Sequence, residues 1–414
     1  MLKIYSRSSL KIGLILPVPR NRPSTLLLGF ASGMSPFAMA LVVPTLELFA
    51  QQYDAPYSKI QFIISAYLFG LALAQPIVGF LSDKVGRRPV MIYGIILFLI
   101  ASFICLKAET LTTLILARFM QGIGASVGTV MSRAIIRDTT TDNDSGKPLS
   151  RVVAIMGMAP MIAPVVGVLA LEFFGDPSGI FIVTIVLGIL IIFPVILLLP
   201  ETLDKNLQRS RAEPLWHQKY ALLLKSKIFI GSTMVYGFTT GSFFALLAVA
   251  STVFANDLGI GARGFGITWS CMTLLYSISS YIGGNLSTRI GLMKVMNYGV
   301  IINLVAGFSI YLLVSFLGTN LVSILIPLTL MFFAHGFIVS MSLTKAVSNR
   351  PEIAGSSSGL SSSMGLVTGG LFSILSGALY AGQFLPIASL VTLSTILCGL
   401  SYLLIASGEK ENNS

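Results

Sequence analysis

One arginine lies inside a long apolar run of the sequence, where a charge has clear chemical consequences. Arg118 stands in LILARFMQGIGAS, and an isolated cation in a hydrocarbon layer costs roughly 3 kcal/mol or more. Such a charge normally faces the interior of a helix bundle and has a polar partner, so we expect Arg118 to be functional. Gln121 can form hydrogen bonds across helices, and Gly122 permits a neighbouring helix to approach closely. The alternative is a structural arginine that is satisfied by main-chain carbonyls.

A second group of charges lies in a motif that the sequence contains twice. GFLSDKVGRRPV at 79–90 and GNLSTRIGLMKV at 284–295 share the positions of their glycines, leucine, serine and final valine. Asp83, Arg87 and Arg88 occur only in the first copy. A carboxylate at a helix end can bind the positive N-terminus of another helix, so we predict that Asp83 joins the two halves of the protein. The alternative is that the three charges only anchor the topology.

The glycines of this motif and two prolines elsewhere predict turns, close helix contacts and kinks. We expect tight turns or close helix contacts at the glycines, because glycine has no Cβ: Gly79, Gly86, Gly284 and Gly291. In MGMAPMIAPVVGVLA, Pro160 and Pro164 each remove a helical hydrogen bond and kink the axis. Gly167 then leaves a bare surface against which a helix can pack. A kinked packing helix without any functional role is the alternative.

The composition identifies the medium in which these residues act. Only 10% of the residues are charged and 54% are hydrophobic, whereas soluble domains carry about a quarter charged residues. A span of the hydrocarbon core needs about 20 apolar residues. Runs of this kind lie near 24–48, 60–82, 90–106, 110–136, 152–173, 179–199, 228–254, 264–287, 293–317, 321–345, 355–380 and 383–406. The sequence therefore predicts an all-α membrane protein with twelve transmembrane helices in two six-helix bundles.

The repeat and the longest polar stretch divide the chain. Two copies with the same membrane orientation are parallel repeats related by an axis along the membrane normal, and two such bundles can rock to expose a midplane site to either face. The predicted organisation is an N-terminal tail (1–23), an N-terminal bundle (24–200), a linker (201–227), a C-terminal bundle (228–406) and a C-terminal tail (407–414).

The placement of the basic residues predicts the orientation. The net charge is +11, and nearly all of the 27 lysines and arginines fall with the termini and the even-numbered loops; Lys59, Lys107 and Arg263 are the exceptions outside the spans. Cationic loops stay on the cytoplasmic side, so we expect both termini there and a multi-pass protein of the bacterial inner membrane. The bilayer then accounts for the charge, and we expect no nucleic-acid partner.

The motifs together resemble those of the major facilitator superfamily. GFLSDKVGRRPV is similar to its loop between the second and third spans, and LxxxRxxQGxGAS is similar to its fourth-span motif, whose arginine is linked to proton coupling. The resemblance implies that Asp83 latches against the start of the eleventh span, EIAGSSSGL.

The fifth span narrows the resemblance to one branch. The AP-xx-AP-xx-G form resembles the bicyclomycin- and chloramphenicol-resistance branch of drug:proton antiporters, although this branch has a second glycine at the position of Val168. LPETL at 199–203, Gln75 with Gly79 in the second span, and AGSSSGL at 354–360 agree with this branch.

A proton carrier is harder to find. The branch places an aspartate at the position of Ala40 in the first span. A carboxyl group in a low-dielectric cavity is the natural proton carrier. The remaining candidates are Glu47, near the outer end of that span, and His335, which could titrate near neutral pH. A lone histidine in a span is more often a packing residue.

Small-molecule pockets are mostly apolar with a few polar groups. The residues that could line a central cavity of this kind are Phe37, Tyr67, Gln75, Tyr236, Phe243, Phe244, Tyr276 and His335. Helix packing or lipid contact is an equally good explanation for each. Aromatic rings suit lipophilic substrates, and the shortage of acids favours neutral or zwitterionic ones over strongly cationic ones.

These features predict a secondary active transporter that exports small lipophilic molecules by proton antiport and alternating access, as in multidrug efflux and antibiotic resistance. The alternative is a transporter of the same fold for a defined solute, such as a siderophore or metabolite, working inward or without protons. A receptor or scaffold that does not transport is a further alternative. No catalytic triad, nucleotide loop or metal cluster is apparent in the sequence, so we expect neither an enzyme nor a cofactor or metal. The predicted partners are a small-molecule substrate, protons and lipid, and we expect a monomer.

Overall fold

The computed structural model describes residues 23–139, 146–203, 216–350 and 353–413, and the regular structure in these ranges is entirely helical. The helices of the first half are α1 (Thr25–Ala40), α2 (Leu46–Gln52), α3 (Tyr57–Ile60), α4 (Phe62–Val85), α5 (Arg87–Leu106), α6 (Leu111–Thr139), α7 (Gly146–Phe174) and α8 (Ile180–Leu198). Those that follow are α9 (Trp216–Leu224), α10 (Lys227–Thr252), α11 (Ala262–Ile290), α12 (Leu292–Leu317), α13 (Leu321–Ser348), α14 (Ala354–Leu379) and α15 (Leu385–Asn413). The predicted all-α fold class is confirmed.

Eleven stretches of the described chain are long and apolar enough to cross a membrane. The first combines α1 and α2 through a short 3₁₀ turn at Val43–Thr45. The eighth predicted span is not among them, although α11 is 29 residues long, because it is rich in serine and threonine. Some of these hydroxyls are satisfied internally: Ser280 Oγ lies 2.7 Å from Ser340 Oγ of α13. Its polarity is therefore directed at neighbouring helices.

The two halves use the same helix pairings, as a duplicated unit requires. In the first half α4 packs on α6, α5 on α6, and α1 on α7. The corresponding spans of the second half pair in the same way, α11 on α13, α12 on α13, and α10 on α14. Equivalent glycines, Gly86 and Gly291, end α4 and α11 with φ of 119° and 91°. The internal repeat read from the sequence is thus a repeat of structure.

Some predicted segments differ from the observed helices or lie outside the described residues. The last helix, α15, continues to Asn413 through the segment predicted as a tail at 407–414, and α9 forms within the predicted linker. Residues 1–22 and 204–215 are outside the described part. Glu352, in the predicted latch partner, is outside it as well.

The two ends of the molecule differ in how the halves meet. We call the end that carries Gly86, Gly291 and α9 the linker side, and the opposite end the far side. On the far side, the Tyr57 hydroxyl donates to the carbonyl of Ala248 across the halves at 2.9 Å. Near the middle, Ser363 Oγ donates to the carbonyl of Ala72 at 2.7 Å. The bonds described between the halves thus concentrate towards the far side.

Candidate functional site

Arg118 is fully buried in the first half and bonded mainly to main-chain carbonyls. Its Nε donates to the carbonyl of Ile63 in α4 at 3.2 Å, and Nη1 donates to that of Ala38 in α1 at 3.3 Å. The guanidinium lies 4.2 Å from the centre of the Tyr67 ring. Within the described residues Nη2 has no hydrogen-bond partner and no carboxylate pairs with Arg118. The side chain therefore joins three helices, α1, α4 and α6, near the end of α1.

Gln121 extends this network across the bundle. Its Oε1 accepts a hydrogen bond from Arg118 Nη1. Its Nε2 donates to Ser102 Oγ in α5 at 2.7 Å and, more weakly, to Thr184 Oγ1 in α8 at 3.4 Å. The predicted cross-helix bonding of Gln121 is thus observed. The network joins five of the six spans of the first half.

The charged turn after α4 is held together inside the first half. Arg87 Nη1 lies 2.5 Å from Asp83 Oδ1, and Arg87 Nε lies 2.9 Å from Asp138 Oδ2 at the end of α6. Arg87 Nη1 also donates to Ser82 Oγ at 2.6 Å. Arg88 Nη2 donates to the carbonyl of Ile196 in α8 at 2.7 Å. The charges of the first copy thus connect the linker-side ends of four spans, α4, α5, α6 and α8. The latch between Asp83 and the second half stays a prediction.

One residue that contacts this turn was missed by the sequence reasoning, although its motif was noted. Glu201 follows α8 in LPETL, and its Oε1 and Oε2 accept hydrogen bonds from the backbone N–H groups of Arg87 (2.9 Å) and Arg88 (3.2 Å). A carboxylate at this point satisfies otherwise unpaired donors and interacts favourably with the positive end of α5. A Cβ at Gly86 would lie 2.5 Å from Glu201 Oε2, so this glycine makes room for the cap.

We expect Glu201→Gln to lower the free energy of unfolding by about 1 kcal/mol, because the amide keeps the shape of the cap and loses its charge. Thermal unfolding of the purified protein measures the effect. Glu172→Gln, an exposed carboxylate on the far side, is the matched control and should leave the melting temperature unchanged. Equal melting temperatures for both variants would contradict the capping role.

The remaining predicted glycine contacts have mixed outcomes. A Cβ at Gly122 would collide with the backbone of Tyr67, and one at Gly167 would lie 2.5 Å from the carbonyl oxygen of Leu41. These two close approaches are as expected. Gly79 has only Val130 at 3.9 Å, and Gly284 has no atom within 4 Å. Close packing does not explain those two positions, because the neighbouring helices leave room there.

The proline-containing helix α7 lies at the interface between the halves. Ser270 Oγ of α11 donates to the carbonyl of Met161 at 2.6 Å, next to Pro160. A Cβ at Gly266 would lie 3.4 Å from the Pro164 carbonyl oxygen and 3.3 Å from Val168 Cγ2. The AP-xx-AP segment thus contacts α11 of the other half; the predicted kinks at its prolines stay a prediction.

Glu47, one of the two proton-site candidates, takes part in the far-side contact. Its Oε2 accepts a hydrogen bond from Thr252 Oγ1 of the other half at 2.8 Å. Beside it, Gln61 Nε2 donates to the carbonyl of Ala248 at 2.5 Å, and Gln61 is fully buried. The bond between Glu47 and Thr252 joins the first span to the end of α10 across the halves.

The cavity candidates separate into three groups. Tyr67 and His335 are buried inside single halves: the Tyr67 hydroxyl donates to the carbonyl of Ser35, and His335 Nε2 lies 3.3 Å from Ser242 Oγ. Their rings face helices of their own bundle. Phe243 and Phe244 join an aromatic cluster with Trp269 and Phe332 at centroid distances of 5.1–5.9 Å. Phe243 in this cluster is partly exposed, and so are the remaining candidates, Phe37, Gln75, Tyr236 and Tyr276.

Two of the partly exposed candidates approach each other and an arginine between the halves. The phenol of Tyr236 interacts electrostatically with that of Tyr276 and with the guanidinium of Arg133 in α6. Arg133 Nη1 lies 3.5 Å from Ser358 Oγ of α14. These four side chains come from α6, α10, α11 and α14 and are exposed or partly exposed. We call the region between the halves that these four side chains border the inter-half cleft.

The fold and this site define a polytopic membrane protein of two related bundles around a cleft. Comparison with protein families identifies it further: the model of the Major Facilitator Superfamily matches residues 28–374. The chain belongs to this superfamily, whose members are transporters, as the motifs predicted.

Full-length relatives agree with the predicted branch. Multidrug resistance protein D of Escherichia coli (strain K12) is 26% identical over 402 residues, covering 94% of this chain and 97% of that protein. The bicyclomycin resistance protein homologue of Haemophilus influenzae is 22% identical over 382 residues, covering 92% and 96%. The crystal structure of a bacterial homologue of the human lysosomal transporter Spinster, in an inward-facing and occupied conformation, has the same fold. It aligns with a TM-score of 0.72 at 14% identity and covers 93% of this chain and 96% of that one.

Proposed function

We propose that the protein exports small lipophilic molecules from the cytoplasm in exchange for protons, by alternating access. The observation that carries this is the asymmetry of the contact between the halves. Bonds close the far side, at Glu47, Tyr57 and Gln61, while the partly exposed aromatic residues border a cleft towards the linker side. Substrate enters the cleft from that side, and rocking of the halves opens the other.

The orientation follows from charge. The linker side carries the basic residues of the charged turns and Lys225 and Lys227 after α9, and positive segments remain in the cytoplasm. We place the protein in the bacterial inner membrane with both termini and the cleft mouth in the cytoplasm. The proposed unit is a monomer, because one chain contains both halves and the whole cleft.

The relatives support drug efflux in particular. Proteins named for bicyclomycin and multidrug resistance match over nearly the whole chain. The proline-containing α7, which carries the branch signature, contacts α11 across the interface. This arrangement suits a protein that couples helix bending to access.

The alternative, a transporter of one defined solute without proton coupling, is favoured by the surroundings of Arg118. Ala40 is 2% exposed in the core of the first half, and no described carboxylate lies beside Arg118. Glu47 is then the proton carrier that the proposal requires.

Transport measured in proteoliposomes separates these possibilities. We expect the protein to accumulate lipophilic dyes against their gradient when a pH gradient is imposed. One pH unit provides about 1.4 kcal/mol per proton, enough for roughly ten-fold accumulation at one-to-one exchange. A protonophore should reduce accumulation to that of protein-free vesicles, and Glu47→Gln should do the same without the protonophore. Accumulation unaffected by the protonophore would favour the alternative.

A further inference from the structure

The inter-half cleft contains a cation that neither the repeat nor the superfamily motifs explain. Arg133 lies in α6 about one and a half turns before its end at Thr139, which is roughly 9 Å at 1.5 Å per residue. Its side chain is exposed, yet its Nη1 lies 3.5 Å from Ser358 Oγ of α14 in the other half. These two properties together describe a residue in a cleft and not one on the outer surface.

The guanidinium of Arg133 has free capacity for a ligand. Its one described hydrogen bond is the long one to Ser358 Oγ, at 3.5 Å. Within residues 23–139, 146–203, 216–350 and 353–413, no carboxylate forms an ion pair with it. The nearest acidic residue along its helix, Asp138, is paired with Arg87. A guanidinium presents five N–H donors, so this single bond leaves most of them without a partner among the described residues.

Two aromatic side chains continue the cleft beyond this charge. Counted from the linker-side ends of their helices, Tyr236 lies roughly 14 Å deep in α10 and Tyr276 roughly 21 Å deep in α11. The Tyr236 ring is seated against α14, where a Cβ at Gly365 would meet it. The Tyr276 hydroxyl forms no hydrogen bond with any described residue and keeps a free donor. The cleft is therefore cationic at its mouth and aromatic at greater depth.

We infer that this cleft binds lipophilic molecules that carry an anionic group, with the anion on Arg133 and the apolar part between Tyr236 and Tyr276. The inference rests on the proposed function and specifies its substrate class. A carboxylate or phosphate can form two parallel hydrogen bonds with a guanidinium, and charge-assisted bonds of this type are about twice as strong as neutral ones. In a partly desolvated cleft the attraction is screened less than it is at an open surface.

The competing explanation is that Arg133 only helps to fix the orientation of the chain in the membrane. Arg137 provides the control for this explanation. Arg137 lies one turn closer to the end of α6 and is exposed. It has the same charge on the same helix, so Arg137→Gln removes an equal contribution to topology without changing the cleft.

The test uses two dyes that differ by one carboxylate, rhodamine B and its methyl ester. Binding to the purified protein is followed by fluorescence anisotropy. We expect wild-type protein to bind rhodamine B about ten-fold more tightly than the ester, because only the acid can pair with Arg133. Arg133→Gln should remove this preference, whereas Arg133→Lys and Arg137→Gln should retain it. Unchanged binding of the ester by Arg133→Gln shows that the variant is folded.

Several results would overturn the inference: equal affinity of wild-type protein for the two dyes, binding of neither dye, or an intact preference in Arg133→Gln. Because binding is measured without a pH gradient, the outcome is separate from that of the flux experiment. Gradient-driven transport without any preference for the acid would leave the proposed function standing and remove the anionic subsite. Acid-selective binding together with flux that does not depend on the gradient would support the anionic subsite and contradict proton-coupled export.

Discussion

Replacing Arg118 with alanine is expected to reduce gradient-driven accumulation by about 100-fold, which corresponds to roughly 2.7 kcal/mol. The guanidinium bonds to the carbonyls of Ala38 and Ile63 and to Gln121. The variant leaves these buried acceptors unsatisfied, at about 1–3 kcal/mol for each that finds no water. The first span is then no longer fixed to the second at the point where it bends. Accumulation in proteoliposomes with an imposed pH gradient measures the loss.

Two further measurements separate a coupling role for Arg118 from a structural one. If the arginine only holds helices together, Arg118→Ala should lower the melting temperature and reduce downhill and uphill transport equally. If it takes part in coupling, downhill flux should persist while accumulation against the gradient fails. Arg118→Lys keeps the charge but cannot bond to both carbonyls, so we expect an intermediate rate. Wild-type accumulation by a folded Arg118→Ala variant would exclude both roles.

Hydropathy predicts this fold well because lipid imposes a simple requirement. Every span must be apolar over about 20 residues, so the spans and the two halves can be read from composition alone. One span is an exception. The helix α11 is too polar to be recognised by hydropathy, because it is rich in serine and threonine. Some of these hydroxyls bond to α7 and α13. This helix was nevertheless counted among the twelve apolar runs of the sequence, at 264–287.

The orientation of side chains could not be read in the same way. A helix that is apolar all round has no amphipathic face to show its rotation about its own axis. Tyr67 and His335 therefore ranked equally with Tyr236 and Tyr276 as cavity candidates, although the first two are buried within single bundles. Arg133 was counted with the loops because it lies near a helix end, and its exposure to the cleft depends on packing between the halves.

The function of Glu201 was hidden for another reason. Its partners, the N–H groups at Arg87 and Arg88, lie more than a hundred positions away in the sequence. A capping residue is recognisable from sequence when it directly precedes its helix. Here the cap comes from the end of another span, so the conventional start signal of α5 is missing, and only the folded bundle shows why a carboxylate follows α8.

Alternating access requires that the far-side contact opens during each cycle. Gln61, which directly precedes α4, and Gly377 of α14 meet there from opposite halves, and a Cβ at Gly377 would lie 2.9 Å from that of Gln61. Disulfides span roughly 3.5–4.5 Å between β-carbons, so a small adjustment of the helices accommodates one between two cysteines. This pair is therefore suited to fixing the far side in its closed state.

We expect oxidation of a Gln61→Cys, Gly377→Cys variant to abolish transport, and reduction with dithiothreitol to restore it. The native Cys105, Cys271 and Cys398 are first replaced by alanine. The control pair is Gly307→Cys with Thr395→Cys, whose β-carbons would lie 3.0 Å apart within the second half. Its cross-link should leave the rate unchanged, because the bundle moves as one body. Continued transport by the fully cross-linked far-side variant would mean that the far side does not open, and the alternating-access mechanism would then be wrong for this protein.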